Sequence, residues 1–147
     1  MQNIIDYHQE VAVFIARVFL GLLFFFQGFD AIFKVKIANI IESFYRPFAE
    51  KGIPKGLTVI GVWTTSYIEL IGGFLLTIGL FKYAALYLLG ADIIIASIGF
   101  GIVKPMWDMQ FVFPRLAIII FLLVIPVGWD ILAVDHFFNK FAFFKAL

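Results

Sequence analysis

The chain has 147 residues, 63% of them hydrophobic and 14% charged, with a formal net charge of +1 and a mean hydropathy of +1.04. A soluble domain is nearer half apolar and a quarter charged, and so short a chain cannot hide this much apolar surface in one core. A water-soluble globule and a disordered chain are excluded, the absence of Cys excludes a disulfide scaffold, a thiol relay and Cys-ligated metal centres, and the near-neutral charge offers no basis for nucleic-acid binding.

The expectation is a small integral membrane protein whose first partner is the lipid bilayer. The N-terminal stretch MQNIIDYHQE has Asp6 and Glu10 but no Lys or Arg, so it lacks the basic region of a signal peptide and the first apolar segment is expected to stay as a span. Hydropathy predicts four spans of about 20 residues, the length that crosses a ~30 Å hydrocarbon core. They run from Val11 to Phe33, Leu57 to Leu80, Tyr83 to Val103 and Val112 to Leu132. Backbone in lipid must satisfy its own hydrogen bonds, so these spans are predicted to be helices despite their Val and Ile content. The short connections at Phe81-Lys82 and from Lys104 to Phe111 predict an all-α antiparallel four-helix bundle in the membrane.

Between the first two spans, Ile37, Ile40, Ile41, Phe44, Tyr45 and Phe48 recur at helical spacing, while Asn39, Glu42, Ser43 and Arg46 face elsewhere. A short amphipathic helix over 37–48 is predicted, lying in the membrane interface and ended or kinked by Pro47. Gly52-Ile53-Pro54 then turns the chain into span two. An even number of spans puts both termini on one side, with Lys82, Lys140 and Lys145. The other side holds Lys34, Lys36, Arg46, Lys51, Lys55 and Lys104, so the positive-inside rule predicts a cytoplasmic long loop and termini outside. Trp107, Trp129 and Tyr83 near span ends read as interfacial anchors. Helical rather than strand-like spans favour the bacterial inner membrane.

Ionisable groups inside spans are costly and therefore candidates for function. Arg17, Glu69 and Asp92 lie at roughly 9, 16 and 14 Å from the terminus side, at 1.5 Å per residue. Gly21, Phe24 and Gly28 share the Arg17 face, Thr65, Gly73 and Leu76 the Glu69 face, and Ala85, Leu88, Ala96 and Gly99 the Asp92 face. Small residues beside charges permit close helix approach, so a buried Arg17–Glu69–Asp92 cluster is expected, with Asp130 and Asp135 at its mouth. Such a cluster either fixes helix register or, having two acids against one cation, exchanges a proton or holds a polar ligand. Gln27 with Asp30 and Lys34 forms either a second polar patch or a snorkelling boundary. His8 and His136 share a side and could be imagined as haem ligands, but neither lies well inside a span. No phosphate loop, dinucleotide fingerprint, metal-spaced His pair or nucleophile elbow is present.

The segments ARVFLGLLFFFQGFDAIFK and YIELIGGFLLTIGLFKYAALYLLGADIIIA resemble the DoxX family of four-span bacterial and archaeal membrane proteins. That family has an Arg, a Gly and a Gly followed by Lys in span one, an acid followed by Gly-Gly and leucines in span two, and often an Asp in span three. Arg17, Gly21, Gly28, Glu69, Gly72, Gly73, Gly79 and Asp92 occupy those places. Lys34 comes later than the family's lysine, and PVGWDILAVD replaces its Gly-rich ending with Ser and Asp. The resemblance implies a redox-associated membrane subunit, since members have been linked to quinone-coupled oxidation of sulfur compounds. A quinone is then the implied ligand, with Arg17 donating to its oxygen, Glu69 or Asp92 handling the proton, and a membrane protein partner or bound cofactor carrying electrons. A proton-coupled transporter and an assembly or scaffold subunit are the alternatives. Gly99, with Gly101 beyond, leaves span three able to pack against a second copy.

Overall fold

The computed structural model describes residues 7–103 and 112–138. Helix α1 (His8–Phe29) passes without interruption into a π-helical turn, Asp30–Val35, and ends where Lys36 takes a left-handed φ of 69°. Helix α2 (Ile37–Glu50) follows, then α3 (Lys55–Ile78), α4 (Lys82–Val103), α5 (Phe113–Val124) and a 3-10 turn, Val127–Trp129. Among the described residues there is no strand. Three segments, His8–Val35, Lys55–Ile78 and Lys82–Ile102, are long and apolar enough to cross a membrane, and Phe113–Val124 is a shorter apolar helix.

Two boundaries differ from expectation. The last apolar helix stops at Val124 rather than Leu132 because Pro126 disfavours α geometry in the residue before it, and Ile125 is extended with ψ 149°. The amphipathic helix does not end at Pro47 but continues to Glu50. Its polar residues Asn39, Glu42, Ser43 and Arg46 are exposed, as are Lys51 and Lys55 beyond it. Its apolar side turns to α3 and α4, where Phe44 meets Phe100 with ring centres 6.1 Å apart. Lys104, Trp107, Lys140 and Lys145 lie outside the described residues.

The closest helix pair is α1 against α3, antiparallel, and glycine makes the approach possible. A Cβ at Gly73 would stand 2.8 Å from Phe25 Cα and from the Gly21 carbonyl, and one at Gly28 would stand 2.8 Å from Leu70 Cα. Gly72, on the neighbouring face, instead receives Leu89 of α4. Gly99 faces Phe48 of α2, with ordinary contact at 3.6 Å from its notional Cβ, while Gly101 beyond it has nothing within 4 Å. At the end of α3, Gly79 takes φ 74°, and the backbone closes as its N–H donates to Leu76 and that of Leu80 to Leu75. A left-handed residue there satisfies carbonyls that the helix end would otherwise orphan. The apolar core, with Leu20, Phe24, Leu76, Leu86, Leu89, Ile119 and Leu122 at its centre, joins α1, α3, α4 and α5.

Candidate functional site

The interior charges form two groups at different depths. In the first, Arg17 Nε pairs with Asp130 Oδ1 at 3.1 Å, and Lys82 Nζ reaches Asp130 Oδ2 at 3.1 Å. Arg17, 1% exposed, also donates to the carbonyls of Leu76, Thr77 and Leu132 at 2.9, 2.6 and 3.1 Å. Asp135 accepts from the backbone N–H groups of Phe81 and Lys82 at 2.9 and 2.8 Å. This group seals the C-terminal end of α3, the start of α4 and the segment after α5 into one joint. A hollow of about 750 Å³ beside it is bordered by Lys82, Asp130, Asp135 and His136, but those charges are already committed to one another and to backbone. His8 is exposed in the first turn of α1.

Arg17 is therefore not the counter-ion of Glu69 and Asp92, and the expected three-residue cluster does not form. Long helical side chains lean towards their own helix's N-terminus. On antiparallel helices this carries Arg17 towards the C-terminal carbonyls of α3, where the helix dipole is negative. It carries Glu69 the other way, towards Gln27. Asp130, expected at an open mouth, is only 4% exposed because Arg17 and Lys82 enclose it.

The second group crosses three helices. Gln27 of α1 donates from Nε2 to Glu69 Oε1 of α3 at 2.5 Å, and its Oε1 accepts from Arg115 of α5. A guanidinium only donates, so the amide oxygen of Gln27 faces Arg115 and its NH2 group is left to face Glu69. Arg115 also lies over the Phe24 ring, 5.6 Å from its centre. Asp92 is 1% exposed, and neither of its oxygens has a hydrogen-bond partner. Asp30 and Lys34, grouped with Gln27 on sequence, pair with each other at the exposed end of α1 at 2.6 Å.

Glu69 and Gln27 form the polar end of a cavity of about 520 Å³ between α2, α3 and α4. Phe44, Phe48 and Phe100 supply much of its wall, and Gly61, Ala96 and Gly99 leave the room. Thr58, a further wall residue, is buried with a hydroxyl that has no partner. The apolar periodicity of α2 was legible, but nothing local in the sequence indicated that it roofs a cavity instead of only resting on lipid. Arg115, just inside the fourth span, and Lys82, between the second and third, carry no local sign in the sequence of their partners Gln27 and Asp130.

Long apolar helices joined by polar side chains that reach from one to the next define a multi-pass helical membrane protein. Within that class, a family model described as DoxX matches residues 12–101, and the chain belongs to the DoxX family. The matched segment contains Arg17, Gln27, Glu69 and Asp92, together with all of α2. No match is found among curated proteins or among solved structures.

Proposed function

We propose that this chain is a four-span, redox-associated subunit of the bacterial inner membrane whose α2–α3–α4 cavity binds a quinone-like molecule. The observation that carries the reading is the cavity's largely apolar wall, with Phe44, Phe48 and Phe100 in it, closed at one end by the hydrogen-bonded pair Gln27 and Glu69 and carrying the unpartnered Thr58 hydroxyl at the other. Ligand sites are commonly concave and apolar with a few convergent polar groups that fix orientation. A ring carbonyl would accept the amide hydrogen that Gln27 does not give to Glu69, and the isoprenoid or alkyl portion would lie against Phe44, Phe48 and Phe100. Arg115 holds the amide in the donating orientation. Glu69, and Asp92 behind it, are the groups that would hold or pass a proton beside the ligand. A bound quinone supplies the electron chemistry; the chain supplies orientation, exclusion of water and a proton site. Arg17 takes no part at the ligand, since its donors are committed at the other end of α3.

The test is mass spectrometry and an absorption spectrum of gently purified protein. Wild type is expected to retain a quinone, and Gly61→Phe, which projects a ring into open space in the cavity wall, is expected to lose it while remaining folded. Gln27→Leu should weaken retention about tenfold, the worth of one well-formed hydrogen bond. Wild-type protein that is empty, and that takes up no added quinone, would overturn the reading in favour of an assembly role.

A further inference from the structure

The charges around the cavity are distributed unevenly. Among its described wall residues, Glu69 is the one charged side chain. The nearest cation, Arg115, is behind Gln27 and outside the wall, held by the amide oxygen and the Phe24 ring. The basic residues around α2 point away from the cavity. Arg46, Lys51 and Lys55 are exposed and none of them borders it; Lys55 lies 5.4 Å from the centre of the Tyr45 ring. Thr58, about 16 Å from Glu69 along α3 at 1.5 Å per residue, contributes a neutral hydroxyl at the other end.

Resting on the reading of this cavity as a ligand site, we propose that it selects uncharged, hydroxyl- or carbonyl-bearing head groups and rejects anionic amphiphiles. An anion brought to the polar end would meet no positive charge among the described wall residues, since Arg115 stands on the far side of the Gln27 amide, and an ionised Glu69 would repel it. Burying an unpaired ion is far more costly than burying a hydroxyl that finds a hydrogen bond. A hydroxyl does find one, as donor to Glu69 or acceptor from Gln27. A carbonyl accepts from Gln27. A cationic head gains only Glu69, whose Oε1 the Gln27 amide already occupies.

The experiment uses the full chain in nanodiscs of zwitterionic lipid, with hexadecanol, hexadecanoic acid and hexadecylamine as isotopically labelled probes. It is run where the acid is ionised and the amine protonated, and binding is read by equilibrium exchange and native mass spectrometry. Hexadecanol should fill one site per chain, blocked by Gly61→Phe, and the acid should bind at least about tenfold more weakly. Glu69→Gln should narrow that gap by removing the direct repulsion. Should Gly61→Phe fail to fold, the ratio of the three probes on wild type still decides the matter. Equal or tighter binding of the acid overturns the proposal, and so does tightest binding of the amine that disappears in Glu69→Gln. A chain that shows the head-group ranking but retains no quinone loses the redox role and keeps the charge selection. A chain that retains quinone yet binds no probe saturably does the reverse.

Discussion

Arg17 and Arg115 have the same side chain in different employment. Arg17 spreads its donors over three backbone carbonyls and Asp130, and all of these partners lose water in the folded state. Replacing it strands a buried carboxylate and the carbonyls at the end of α3. Breaking one member of a buried pair costs about 3–5 kcal/mol, so Arg17→Met should lose that much stability in unfolding from mixed micelles. Arg17→Lys should recover less than half, because an ammonium cannot reproduce the guanidinium fork. Lys34→Met breaks an exposed pair with Asp30 and should cost less than ~1 kcal/mol in the same assay. Equal losses for Arg17→Met and Lys34→Met would refute the distinction. The polar residues of the site were visible in the sequence because each interrupts an apolar run. Their partners were not, because pairing depends on which way each side chain leans and on contacts such as Arg17 with Asp130, far apart in the chain. Depth along a span put Arg17, Glu69 and Asp92 together; side-chain direction on antiparallel helices separates them.

At the level of the element, small residues decide which helices meet closely. The α1–α3 contact has backbone against backbone at Gly28 and Gly73, so an added methyl group there has no flexible side chain to displace. Gly73→Ala should force the two helices apart and cost about 1–3 kcal/mol, the usual penalty for overpacking. Gly56 has nothing within 4 Å of its notional Cβ, and Gly56→Ala should be neutral or stabilising by up to ~1 kcal/mol through helix propensity. Thermal denaturation of the two variants beside wild type separates packing from propensity; similar shifts for both would remove the packing argument. The long helices were readable from hydropathy to within a few residues, since lipid leaves the backbone little choice. The extension of α2 beyond Pro47 was not, because packing of Phe48 and Ile53 against the rest of the fold outweighs one missing backbone donor. The early end of α5 had a local sign in Pro126, obscured by the apolar residues that continue after it.

For the whole molecule, the short helix α5 decides how many times the chain crosses the membrane. Its 12 residues span about 18 Å, less than the ~30 Å core. Its contacts nevertheless bridge two depths. Arg115, near its start, bonds Gln27 in the last turns of α1, while Asp130, just after its end, pairs with Arg17 in the first half of α1. About ten residues of α1, or ~15 Å, separate those levels, so α5 traverses the middle of the fold antiparallel to α1. The native absence of Cys makes single-cysteine labelling clean. Gln9→Cys and Gly128→Cys, both at exposed positions, should react with a membrane-impermeant thiol reagent from the same side, and Lys51→Cys from the opposite side. The basic residues Lys34, Lys36, Arg46, Lys51 and Lys55 all lie in the segment between the first two spans, which the positive-inside rule retains in the cytoplasm. In intact cells the first two variants should therefore label, and Lys51→Cys should label only after permeabilisation. The inverse pattern would reverse the orientation and leave four crossings intact. Labelling of Gly128→Cys together with Lys51→Cys, and not with Gln9→Cys, would mean that α5 turns back within the membrane, and the four-span architecture would fall.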